Sequence, residues 1–127
     1  GEVSTAIAWN GRLQAMANEG VDVRYTFQDG NLDTGIYSIP ASCSKESAES
    51  IALYLNAWTT PEWAVEWAKL MPYPPFTGGV AEQLDADYAK LLPTTPENVA
   101  IQHQTDWTFW HANYEALNER WKEWTLE

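Results

Sequence analysis

Pro40 divides this chain into two kinds of sequence. Before it, Val3, Thr5, Ile7 and Trp9 alternate with small residues, and Val21, Val23, Tyr25 and Phe27 alternate with polar ones. That two-residue period belongs to strands with one covered face. After Ser44 the apolar spacing changes to threes and fours, the period of helices. The pattern predicts an α/β fold with few strands at the N-terminal end and mostly helices after residue 44. At 127 residues the chain suits one ordinary domain or part of a larger one.

Within that division the elements follow in order. A strand is expected over residues 2–9, broken by Asn10-Gly11, which both tolerate positive φ. A short helix over 11–18 stops at Gly20. A second strand covers 21–27, Gln28 to Asn31 is turn chemistry, and a third extended segment, 35–39, closes at Pro40. Ser44 caps a helix over 45–58. Thr60-Pro61-Glu62 opens another that runs to about Leu70. Residues 71–79, rich in Pro and Gly, form a loop whose aromatics hold it in place. Val80 to Leu92 is read as a further helix, and Thr95-Pro96-Glu97 restarts one. In the last helix Trp107, Trp110, Tyr114, Leu117, Trp121 and Trp124 form one apolar stripe, expected to be a packing face.

Charge and composition exclude several functions. Eighteen acids against seven Lys and Arg give a net charge of −11. Nucleic acid and anionic membranes are bound by clustered cations, so both are unlike partners for this chain. Cys43 is the only cysteine, so no disulfide forms within the chain and no Cys-rich zinc pattern exists. His103 and His111 lack ligand spacing. No nucleophile, base or glycine-rich phosphate loop suggests catalysis, and nothing calls for a cofactor or metal. Aromatic residues and carboxylates near turns are what remain: Trp9, Asp29, Asp33, Tyr37, Asp106 and Trp110. Ring faces and carboxylates together are the physical means of holding an alkylammonium ion.

The order of motifs also carries a resemblance. A strand ending Ala8-Trp9-Asn10-Gly11 is followed by a helix, Val21-Asp22-Val23, a Gly-containing crossing and Ile39-Pro40. Then come Glu49-Ser50-Ile51-Ala52-Leu53-Tyr54-Leu55, Thr60-Pro61-Glu62-Trp63-Ala64 and Tyr73-Pro74-Pro75. From residue 1 to its end the chain resembles the C-terminal part of bacterial extracellular solute-binding proteins, most closely the spermidine/putrescine-binding group of ABC importers.

The resemblance implies a two-lobed, hinged fold of the periplasmic-binding-protein type, of which residues 1–127 would be a C-terminal fragment. Residues 1–21 would be a second-lobe strand and helix, and 22–104 the hinge crossing and mainly first-lobe elements. Residues 105–127 would be the Trp-rich terminal helix. A non-enzymatic role is implied: capture of a polyamine-like small molecule in the periplasm and delivery to a membrane ABC permease, with the secretory signal upstream of Gly1. Another solute of the same fold class (amino-acid-like, thiamine-like or anionic) is the alternative. A protein-interaction module built on the Trp stripe is another.

Trp9 matches the family aromatic that stacks on the polyamine. The family's ammonium-pairing Asp falls on Gly35, which has no side chain, so Asp33 becomes the candidate carboxylate. A polar contact before the last helix falls on Asp106 or Trp107. Taken alone, the fragment is expected to self-associate.

Overall fold

The structure, a computed structural model, describes residues 3–126; residues 1, 2 and 127 lie outside it, and with them the first residue of the strand expected over 2–9. The helices that local chemistry foretells are present. α1 (Asn10–Asn18) starts with Trp9 as its N-cap and ends at Gly20, whose φ of +86° is the left-handed stop that glycine supplies without strain. The Val21 amide donates to the Met16 carbonyl at 3.0 Å and closes that end.

α2 (Lys45–Trp58) starts where Ser44 Oγ accepts the Ser47 amide at 3.2 Å. α3 (Pro61–Leu70) has Pro61 in its first turn and Thr60 at its N-cap, as expected. The Thr60 hydroxyl, however, donates backwards to the Ala57 carbonyl at 3.0 Å and makes no cap hydrogen bond. α2 and α3 pack through rings: Trp58 lies 4.9 Å from Trp67 and 5.5 Å from Tyr54, centroid to centroid. The buried core is small. Ala64, Val65 and Ala68 of α3 meet Val80 and half-buried Leu84. Leu92, 1% exposed, is the largest fully buried side chain.

The single helix expected over 80–92 is interrupted. A 3-10 turn (Ala81–Gln83) leads to extended Leu84, and α4 (Ala86–Ala89) begins afresh. Asp85 causes the break, because its carboxylate accepts the amides of Asp87 at 2.9 Å and Tyr88 at 3.3 Å and so starts a new helix. Pro93 disfavours helical backbone at Leu92 and limits the other end. The Tyr88 hydroxyl ties α4 to the end of α3 by donating to the Ala68 carbonyl at 2.8 Å. α5 (Pro96–Ala100) follows its Thr95 cap, and α6 (Trp107–Leu126) is the long terminal helix.

The three expected strands are not formed. Residues 3–9, 21–27 and 35–39 run without a ladder. Alternation dictates which side chains share a face, but a strand exists only when a neighbour accepts its hydrogen bonds. In the second segment the Val23 amide instead donates to Val21, at 2.8 Å. The sheet that does form among the described residues is one parallel pair, β1 (Asn31–Leu32) with β2 (His103–Gln104). So an α/β chain with mostly helices after residue 44 is present, but its strands are not at the expected positions.

The Trp stripe of α6 is formed yet uncovered. No residue of α6 is buried, and Trp121 and Trp124 are each about 60% exposed. The whole chain exposes 10521 Å², against ~6,800 Å² for a self-contained folded chain of this mass. No helix among the described residues is long and apolar enough to cross a membrane.

Candidate ligand-binding site

The β1–β2 pair decides which parts of the chain meet. Asn31 lies opposite His103 and Leu32 opposite Gln104. Three backbone bonds fix this register: the Asp29 amide donates to Ile101 at 2.8 Å, His103 to Gly30 at 2.8 Å and Thr105 to Leu32 at 3.2 Å. Asp29 enters the pair with φ +57°, a left-handed conformation that Asp tolerates better than most residues. Its carboxylate lies 3.6 Å from His103 Nε2, but both are largely exposed and the pair contributes little.

Both strands run the same way, so both leave the pair at the same end. Asp33 follows β1, and Asp106 and Trp107 follow β2 and Thr105. The end beyond the carboxyl termini of parallel strands is where open α/β folds receive ligands. Asp33 Oδ1 accepts its neighbour Thr34 amide at 2.8 Å. Asp106 Oδ1 accepts the Phe109 amide at 2.9 Å and caps α6. Each carboxylate is thereby oriented by its own backbone, through one oxygen. Trp107 begins α6 and shares an open face of that helix with Trp110, His111 and Tyr114. Gly35 faces open space, with no heavy atom within 4 Å of where a Cβ would stand.

Trp9 is placed differently from the sequence reading. It stands at no strand end; it is the N-cap of α1, with extended backbone (φ −73°, ψ 131°), and the residue is 72% exposed. Its carbonyl accepts the Arg12 and Leu13 amides at 3.0 and 3.2 Å. Among the described residues no hydrogen bond or ring pair joins Trp9 to Asp33, Asp106 or Trp107. The register therefore sets Asp33, Asp106 and Trp107 in the segments that leave one end of the parallel pair, and Trp9 lies outside those segments.

Sequence reading missed the residues that anchor Trp9. Asn10 Nδ2 donates to the Pro72 carbonyl at 2.7 Å and to the Leu91 carbonyl at 3.3 Å. Gly11 is the buried residue of α1 and lies under the Tyr73 ring. Asn10-Gly11 reads as a strand breaker, a description that conceals its partners. Tyr73-Pro74-Pro75 was the available signal for the other side.

A second concavity, of about 430 Å³, lies between α1 and residues 23–27 and is lined in part by Gln14, Tyr25, Phe27 and Lys90. No expected site residue lines it. Burial pushes the Tyr25 phenol above its ordinary range, and charge on Tyr88 adds to this. The Tyr25 hydroxyl donates to Gln14 at 3.1 Å. Among the described residues no group of His, Cys, Asp or Glu could hold a metal ion.

This arrangement holds two backbone-oriented carboxylates, aromatic faces and a parallel crossing. The chain is 26% identical over 125 residues to a protein named gamma-aminobutyric acid-binding protein from Pseudomonas aeruginosa. That match takes in 98% of this chain and 35% of the relative, so the chain spans about a third of the relative's length. No solved structure matches significantly. Residues 1–94 match the model of a family described as bacterial extracellular solute-binding protein. That is most of the chain, and it belongs to the family of bacterial extracellular solute-binding proteins.

Proposed function

We propose that this chain is the C-terminal part of the binding component of an ABC importer, and that its solute is a small primary ammonium compound. The parallel exit of β1 and β2 is the observation that carries this reading, because it sets two oriented carboxylates and an aromatic residue at one end of a crossing. A carboxylate pairs with ammonium through charge-assisted hydrogen bonds, and an indole face attracts the same charge. Residues 1–21 and 105–127 would belong to one lobe, 22–104 mainly to the crossing and the other lobe. The two lobes would close on the solute in the periplasm and present it to the permease.

Two solute classes share the ammonium group. Polyamines fit the order of motifs. An ω-amino acid fits the relative named for gamma-aminobutyric acid and suits a site with fewer carboxylates, since Gly35 contributes none. Calorimetric titration of the full-length protein with γ-aminobutyrate and with putrescine separates them. Micromolar binding of either supports capture of an ammonium solute. Binding of neither overturns it.

Two substitutions locate the site. Asp33→Asn is expected to weaken binding of the ammonium solute about tenfold, the scale of one hydrogen bond to a charged group, and to leave a neutral solute unaffected. Equal losses for both, or no loss, remove Asp33 from the site. Trp9→Ala is expected to cost about 1–3 kcal/mol of binding, a desolvated cation–π contact plus lost apolar area. Unchanged affinity removes Trp9.

A further inference from the structure

Asn10 is where three distant parts of the chain meet. Its amide nitrogen donates to the Pro72 carbonyl at 2.7 Å and the Leu91 carbonyl at 3.3 Å, 62 and 81 positions away. Pro72 is buried and Leu91 half-buried, so these are tethers to packed chain rather than to a free loop. One residue on, a Cβ at Gly11 would lie 2.6 Å from Cζ and 2.8 Å from Cε1 of Tyr73. That is closer than real Cβ atoms come, so the ring rests on helix backbone that only glycine leaves open. Immediately before this clasp stands Trp9, a residue 72% exposed. Among the described residues, the exposed helix-borne tryptophans of α3 and α6 have no such long-range tether at the neighbouring residue, so what sets Trp9 apart is the clasp beside it.

We propose that Asn10 and Tyr73 are positioning residues for Trp9: they clamp the start of α1 to the Pro-rich loop and to Leu91 so that the indole is presented to solute in one orientation. The inference rests on the reading of Trp9 as a solute contact. The physical gain is preorganisation. A ring already held in its binding orientation loses less freedom when solute arrives. Asn10 supplies direction through two carbonyl acceptors, and Tyr73 supplies a flat stop against which α1 cannot roll. Gly11 is required for the second of these, which accounts for the Trp9-Asn10-Gly11 sequence as one device.

The test reads the indole directly. The full-length protein is labelled with 5-fluorotryptophan, and the Trp9 resonance is assigned by its loss in Trp9→Phe. Asn10→Asp keeps the side chain's shape but aims a carboxylate at two carbonyl oxygens. The Trp9 resonance is expected to shift and broaden without solute, and affinity for whichever of γ-aminobutyrate or putrescine binds is expected to fall about five- to tenfold, the worth of one well-placed cation–π contact. Tyr73→Leu, which leaves Asn10 intact, is expected to do the same and covers the case in which Asn10→Asp does not fold.

Ser44→Ala is the control for a purely structural role. Ser44 Oγ accepts the Ser47 amide and starts α2, and its hydrogen bonds touch neither Pro72 nor Leu91. Ser44→Ala is expected to lower the unfolding midpoint and leave the Trp9 resonance in place. A resonance unmoved by Asn10→Asp and Tyr73→Leu, or moved equally by Ser44→Ala, overturns the clamp. If Trp9→Ala binds solute normally while the resonance still moves, the contact reading fails and the clamp stands.

Discussion

Prepared on its own, the 127-residue chain is expected to sediment as dimers or larger species at micromolar concentration, not as a 14.4 kDa monomer. The area decides this. The chain exposes ~3,700 Å² more than a self-contained protein of its mass, more than four times the ~800 Å² that each partner of a standard interface buries. Part of that excess is the aromatic stripe of α6, where Trp107, Tyr114, Trp121 and Trp124 are each more than half exposed. The rest includes extended segments whose backbone groups have no ladder partner and so recruit other chains. The net charge of −11 opposes association, but at physiological salt its reach is only ~8 Å. Analytical ultracentrifugation with parallel tryptophan emission checks the point, with a blue shift expected as the species grow. A compact monomer with blue-shifted emission would mean that α6 buries its stripe against its own chain. A monomer with red emission would favour the stripe as a surface kept for another protein.

Leu92→Ala is expected to destabilise the folded protein by about 2–5 kcal/mol, the range for emptying a fully buried leucine site. Leu92 is 1% exposed, and its surroundings are held by hydrogen bonds rather than by a large apolar mass. Asn98 Nδ2 binds its carbonyl at 2.7 Å, and Gln102 Nε2 binds the next carbonyl, that of Pro93, at 2.8 Å. Backbone pinned on that side cannot collapse into the space, which argues for the upper part of the range. The loss is read as a shift of the urea midpoint of the full-length protein at unchanged slope. Lys45→Ala, where the side chain is 92% exposed, is expected to change the midpoint hardly at all. A Leu92→Ala effect no larger than that of Lys45→Ala would show that the Leu92 site repacks.

Helix starts are legible in this sequence because their causes are local. Ser44, Thr60-Pro61 and Thr95-Pro96 each act within one turn, and α2, α3 and α5 begin where they indicate. Asp85 is equally local and was readable as a cap, yet it sits inside an apolar run that suggests one helix over 80–92. Strands are legible only by face. Val3 to Trp9 and Val21 to Phe27 carry the right alternation, but no neighbouring segment among the described residues pairs with them in a ladder.

The converse error is the pair that does form. Asn31-Leu32 and His103-Gln104 have no strand signature, since two residues cannot show a period. At the candidate site, Asp33 and Asp106 stand out as carboxylates near turns and Trp107 enters through family resemblance, but their common exit needed the register. Asn10 and Tyr73 stand in motifs of that resemblance, but their pairing was not legible, because neither a hydrogen bond spanning 62 positions nor a ring packed on Gly11 leaves a trace in local pattern.

The parallel pair also bears on the order of events in folding. Bringing β1 to β2 closes a loop of ~70 residues, an entropy cost of ~4 kcal/mol on the logarithmic scaling of loop length. The few backbone bonds of that ladder offset only part of it, each being worth ~1 kcal/mol net. The pair therefore cannot nucleate. It must wait until α2 to α5 have shortened the intervening chain and carried Ile101 back toward Asp29. The amides of His103 and Thr105, which donate to Gly30 and Leu32, should be among the last to gain protection from hydrogen exchange during refolding and among the first to lose it. Assembly of the proposed site's carboxylate end is then the closing step of folding, and a chain halted short of it would hold its helices with Asp33 and Asp106 still unjoined.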